Sequence, residues 1–227
     1  MNTEYAISFD GDLVGVTVCG MIWAEDVVVS SSEEMPGFLV ERVHAAQAAG
    51  EDAVPAAVRD RVRRMLRHGK YKPSGRGKPA SEFLLRAALG GEFPWVNGPV
   101  DVNNAISLES GFPGSIFDAG VTGRRLLIRR GRPGETYVFN PSGQSIDLED
   151  LLLVCRPADD DWVPCGNPVK DSVSTKIGPH TTGVVAVLYA PADEPDDRLA
   201  EWCIRFAELL SVHCGAERTG WQIFRPQ

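Results

Sequence analysis

The 227 residues, 43% of them apolar and 24% charged, suffice for a substantial core in one large domain or two small ones. They exclude a membrane span, since no run approaches the roughly 18 apolar residues a bilayer helix needs, and the acidic opening Met1–Asp12 lacks the basic and then apolar stretch of a secretory leader, so the expected location is cytoplasmic. A formal net charge of −8 excludes a general nucleic-acid coat protein, and five scattered cysteines without a CxxC pair read as reduced, buried thiols, with no metal expected.

Along the chain, Leu13–Ile22 is apolar and β-branched and predicts a buried strand. Pro36–Ala49 places Phe38, Leu39, Val43, Ala46 and Ala49 at helical spacing, with Gly50 as a stop. Pro55–His68 predicts a second helix with Val58, Val62, Met65 and Leu66 inward and its arginines outward. Ala80–Leu89 predicts a third, with Phe83, Leu84, Ala87 and Ala88 inward; the Gly- and Pro-rich GKYKPSGRGKP before it predicts a loop. Val100–Ser110 has helical spacing. Leu126–Arg129, Thr136–Asn140, Leu151–Cys155 and Gly183–Tyr189 read as short strands, with the acidic run Asp159–Asp161 as a loop. Arg198–Cys214 is amphipathic, with Leu199, Trp202, Phe206, Leu209 and Leu210 inward, and Trp221–Phe224 reads as a closing strand. Helices early and strands late predict an α+β fold rather than alternating βαβ units.

Charge is distributed unevenly. Residues 56–89 hold ten basic residues against two acidic, whereas the remainder holds 13 basic against 29 acidic. Such asymmetry repels nucleic acid over most of the surface and admits it at one place. Arg63, Arg64, Arg67, Lys70, Lys72, Arg76 and Lys78 are the candidate RNA-binding residues; the alternative is a solvated helix face. GRGKP at Gly75–Pro79 lacks the GxxxxGK[ST] of a phosphate loop, and no nucleotide or redox cofactor is indicated.

Downstream, Pro99–Asp118 (PVDVNNAISLESGFPGSIFD) sets Asp101, Asn103, Asn104, Glu109, Ser115 and Asp118 among apolar residues. This stretch resembles the VDVTNYVMLELGQPxHAFD block of the phenylalanyl-tRNA synthetase β subunit, in its B3/B4 domain. Gly134–Val154 is similar to that family's GExLxTLDGxERxLxxxDLxI, and Pro164–Pro191 to its GxxGGxxSxV…T.NVLLEAA close. Three blocks in order cover roughly residues 80–190, and together they are far more specific than any one. The chain looks like a free-standing version of that domain. The resemblance implies a three-layer β/β/α sandwich, with residues 76–227 as the core of a single domain and residues 1–75 as an extra strand and helices packed on it. It also implies binding of the aminoacylated 3′ end of tRNA and hydrolysis of mischarged tRNA. The adenylate-forming domain of the synthetase has no room here, so ligation itself is excluded.

What the resemblance assigns to a site is Asn103 and Asn104, to orient a substrate, with a polar loop of Lys170, Asp171, Ser172 and Thr175 facing them across one cavity. For the asparagines the alternative is helix capping; for the loop, a plain polar connection between strands. Asp101 reads as tying a loop to backbone N–H groups. Two departures stand out. Ser115 occupies the position of the family's HAFD histidine, eleven residues after Asn104, where it fits a hydrogen-bonding pocket residue better than a nucleophile, because no base accompanies it. Lys170 and Asp171 stand where the family has an acidic residue that reads a tyrosine hydroxyl. None of the four histidines lies in a Ser/His/Asp or HExxH arrangement, so hydrolysis would use a positioned water, without a strong protein base and with no covalent intermediate. The expected function is therefore tRNA binding with hydrolysis of mischarged aminoacyl-tRNA in trans. Its rivals are a non-catalytic RNA-binding module and a hydrolase of a small amino-acid-like molecule.

Overall fold

The computed structural model describes residues 4–227; of the acidic opening, Met1–Thr3 lie outside the described residues. In order, the elements are β1 (Ala6–Phe9), β2 (Thr17–Glu25), α1 (Gly37–Ala49), α2 (Ala56–Leu66), α3 (Ala80–Leu89), α4 (Gly98–Ser110), β3 (Gly114–Asp118) and α5 (Ala119–Thr122). There follow β4 (Arg125–Arg130), β5 (Thr136–Val138), β6 (Ser145–Asp147), β7 (Leu152–Ala158), β8 (Asp161–Gly166), β9 (Gly183–Pro191), α6 (Asp196–Cys214) and β10 (Arg218–Phe224). The fold is α+β. One sheet runs β1-β4-β7-β8, a second runs β10-β2-β9-β3, and β5 and β6 form a separate hairpin. A helical layer that includes α4 and α6 lies against the second sheet.

Burial explains this layering. Strand β9, GVVAVLYAP, is apolar along its length and buried from Val184 to Pro191, as a strand covered on both faces must be. The main core joins Ile7, Leu126, Ile128, Leu152 and Val154 of the first sheet to Val18, Met21, Val185 and Val187 of the second, and to Leu199, Phe206 and Leu210 of α6. Each such side chain contributes on the order of 1.5–3 kcal/mol by leaving water. Helix α6 approaches β2 most closely at Gly20, where any Cβ would collide with the Cys203 sulfur. All five cysteines are buried free thiols, as expected from their scatter; burial pushes Cys19, Cys155, Cys203 and Cys214 up to about 12 and Cys165 well above the ordinary range.

Three expectations need correcting. Residues 1–75 are not an outer layer on a 76–227 core: β2 pairs with β9 on one side and β10 on the other, and β1 pairs in parallel with β4. Phe83, expected inside, is 60% exposed, because α3 turns Ser81, Leu84, Leu85 and Ala88 inward instead. The acidic run is a two-residue hairpin turn, Asp159–Asp160, joining β7 to β8; Asp159 adopts φ +50°, which aspartate tolerates better than most residues.

Helix α4 is buried almost all round, because α1 and α3 cover one side while α6 and β3 cover the other. Its start is fixed twice. The Asn97 side chain accepts the Val100 N–H (3.2 Å), and Asp101 accepts the Val96 N–H (2.7 Å). Burial pushes the Asp101 carboxyl up to about 6 despite these bonds. Asn97→Ala is expected to cost ~1 kcal/mol of stability, measured as a lowered urea midpoint at unchanged m-value.

Candidate functional site

Against α4 lies a cavity of about 230 Å³, lined by Val100, Asn103 and Asn104 of the helix, Gly114 and Ile116 of β3, the loop residues Asn167, Val169, Lys170 and Asp171 after β8, and Lys176 and Ile177 beyond them. Segments more than sixty residues apart in the chain thus meet around one space. The volume lies below the ~300–1,000 Å³ typical of drug-sized ligands, so it suits a small group such as an amino-acid side chain.

The loop Asn167–Asp171 is locked from within. Asn167 Oδ1 accepts the N–H groups of Val169 (2.8 Å) and Lys170 (2.9 Å), while its Nδ2 donates to the Tyr137 hydroxyl (2.5 Å). Tyr137 in turn donates to the Lys170 carbonyl (2.6 Å). This asparagine–tyrosine clamp holds the following carboxylate in place.

Asp171 is the chemically distinctive residue. Its Oδ1 accepts from Ser115 Oγ (2.7 Å) and from the Asn167 N–H (3.2 Å); the Ile116 N–H also favours its ionised form. Tyr189 stands 3.0 Å from Ser115 Oγ, so with the serine proton committed to Asp171 a chain runs Tyr189 to Ser115 to Asp171. Asp171 also lines the cavity. Burial pushes the carboxyl up to about 7, against the opposing pull of these donors and of the Lys176 charge. A carboxyl raised to about 7 that lines a cavity is equipped to take a proton from a bound water.

Asn103 faces the same space. Its Nδ2 donates to the Gly114 carbonyl (3.3 Å), while Oδ1, in a side chain only 6% exposed, has no partner. An unpaired buried acceptor costs roughly 1–3 kcal/mol. Gly114 is required at this point, since a Cβ would lie 2.5 Å from that oxygen and 3.1 Å from Ser107 Oγ.

The structure divides the remaining candidates. Ser115 is fully buried and meets the cavity wall through Asp171 and, at 3.5 Å, the Asn167 carbonyl. Ser172 caps the short 3-10 turn Val173–Thr175 by accepting the Ser174 N–H (3.2 Å), and Thr175 donates to the Cys165 carbonyl (3.4 Å); neither lines the cavity. Glu109 is engaged by Arg205 (two bonds of 2.9 Å) and Asp118 by Thr181 (2.5 Å), both outside the lining. The basic residues split. Arg63 is paired in bidentate fashion with Glu82, and Lys70 with Glu149. Arg64 and Arg67 line a separate hollow with Arg61, His68 and Arg130. Arg76 and Lys78 line a hollow that shares Val169 and Lys170 with the cavity, and Lys72 is exposed in the loop before it. Lys170 itself holds its ammonium 3.9 Å from the centre of the Phe139 ring. Sequence reasoning missed Asn167, Tyr137, Tyr189 and Lys176; the Asn-Pro step at Asn167 was the one available signal, since such steps start turns.

No protein-family model matches the chain. A curated relative, the phenylalanine–tRNA ligase beta subunit of Nocardia farcinica (strain IFM 10152), is 32% identical over 101 residues. The match takes in 44% of this chain and 12% of the length of that relative. Among solved structures, an N-terminal fragment of the phenylalanyl-tRNA synthetase beta subunit from Pyrococcus horikoshii aligns with a TM-score of 0.49 at 9% identity, over 98% of this chain and 52% of the other. The chain is thus similar in sequence to part of a phenylalanine–tRNA ligase beta subunit.

Proposed function

We propose that the chain is a B3/B4-like domain that binds the aminoacylated 3′ end of tRNA and hydrolyses the ester of mischarged tRNA supplied by another protein. What carries this reading is the meeting of Asn103, Asn104 and Asp171 around one small cavity, in a chain similar to part of a tRNA ligase subunit. The amino-acid side chain occupies the cavity, whose wall includes Asn103. Water attacks the ester carbonyl carbon while the Asp171 carboxylate takes the water's proton. The tetrahedral intermediate then collapses, the ester C–O bond breaks, and the leaving ribose oxygen takes back the proton held by Asp171. Asn104 is placed to donate its amide to the developing oxyanion, with Lys170 and Lys176 holding phosphate at the rim. This mechanism replaces the base-free hydrolysis expected from sequence, because Asp171 supplies the base that no histidine does.

A second reading, binding without hydrolysis, is favoured by one observation: Asp171 Oδ1 is tied to β3 and to its own loop, as a purely structural carboxylate would be. Incubation with a panel of mischarged tRNAs separates the two. Release of free amino acid from at least one, abolished by Asn104→Ala with tRNA binding intact, supports the hydrolase. Binding without release on every member leaves the binding module.

A further inference from the structure

Phe83 stands on the outer side of α3, opposite the buried Ser81, Leu84, Leu85 and Ala88. Among the described residues its ring makes no aromatic or cation contact, whereas the Phe139 ring is covered by Lys170. Phe83 lines a hollow of about 360 Å³ with Arg76, Lys78, Arg86 and Lys170. The one acidic residue of that hollow, Glu82, has its charge committed to Arg63 through two hydrogen bonds of 2.6 and 2.5 Å. Four cations therefore surround an open aromatic face in a protein of net charge −8. The hollow adjoins the cavity: Val169 and Lys170 line both, and Ala80, in the first turn of α3, lies on the cavity side.

We infer that Phe83 is a base-stacking platform for an unpaired nucleotide of RNA, whose phosphates lie on Arg76, Lys78 and Arg86 and whose strand runs from this hollow toward the cavity. An exposed ring flanked by cations is what single-stranded nucleic acid uses, because every base presents a π face and every linkage a negative charge. A protein partner of acidic character would use the cations yet have no need for an open aromatic face. The inference rests on the tRNA reading above, and it is tested by binding rather than by hydrolysis, so the two fail separately.

The experiment titrates a fluorescein-labelled single-stranded RNA of twelve nucleotides, uncharged at its 3′ end, into wild type, Phe83→Ala and Phe83→Trp. With the ring exposed, both variants are expected to retain the wild-type melting temperature. Phe83→Ala should weaken binding by about tenfold or more, the loss of one base–aromatic stack, while Phe83→Trp binds at least as well as wild type. Equal affinity of wild type and Phe83→Ala overturns the inference even if deacylation is observed. Absence of RNA binding by wild type also overturns it and hands this face to a protein partner. Weakening by Phe83→Ala in a protein that deacylates nothing upholds the platform and refutes the hydrolase.

Discussion

Asp171→Asn is expected to lower deacylation by about 10²–10⁴-fold, the range associated with loss of a positioned general base, while leaving tRNA affinity nearly unchanged. Amide and carboxyl are the same size, so Ser115, Asn167 and the cavity wall keep their places. Proton uptake needs the ionised form. After subtraction of uncatalysed ester hydrolysis, the wild-type rate should therefore rise with pH up to about 7 and level off above it. Ser115→Ala removes a donor that favours the ionised form, so its profile should move to higher pH, whereas a Ser115 that served only packing would leave the midpoint in place. Stability carries the opposite sign. A carboxyl raised in the folded state from its ordinary range to about 7 binds a proton more tightly folded than unfolded, so stability falls as pH rises from about 4 to about 7 and is flat above. Asp101, raised to about 6, adds to the same fall. Asp171→Asn should accordingly melt higher than wild type at pH 8 and show a shallower decline between pH 5 and 8. A variant that keeps its rate and its pH profile would remove Asp171 from the chemistry.

Reversing Arg76, Lys78 and Arg86 to Glu is expected to weaken tRNA binding by roughly 100-fold at moderate salt and to reduce the slope of log K against log salt by about 2, from three lost contacts at ~0.7 each on a single strand. All three line the hollow that shares Val169 and Lys170 with the cavity. Arg64→Glu with Arg67→Glu should cost less, because their hollow shares no residue with the cavity and Arg61 in it is already paired with Asp193 and Glu194. Filter binding at four salt concentrations distinguishes the two sets. The larger loss from the double variant would place the RNA across α2 instead of α3.

How far the sequence was legible depended on length and on period. Helices α1, α2, α3 and α6 each carry a repeating apolar stripe, and their extents were readable to within a few residues. Strands β2, β7 and β9 are apolar runs long enough to stand out. What escaped was short or interrupted: β1 has four residues and β3 five, and β8 carries Pro164, which lacks an N–H and is tolerated there because β8 lies at a sheet edge. For the candidate site, the resemblance pointed to Asn103, Asn104, Lys170 and Asp171 in two segments that line one cavity. It offered no sign that Ser115 would bond to Asp171, a contact across 56 residues of chain that exists only once β3 lies beside the loop. Nor does helical spacing distinguish which way Phe83 turns, since Ser81 is small enough to be buried in place of a larger residue.

The five covered thiols make this chain a clean background for spectroscopy. Each is protonated and shielded at neutral pH, and a thiol needs both its anion and an open approach to react with a maleimide. A cysteine introduced on the exposed face of α3 would therefore accept a dye or spin label selectively, with no native residue removed beforehand. Two such labels, one on α3 and one on the β5–β6 hairpin, would give a distance reading of whether that hairpin shifts when RNA arrives.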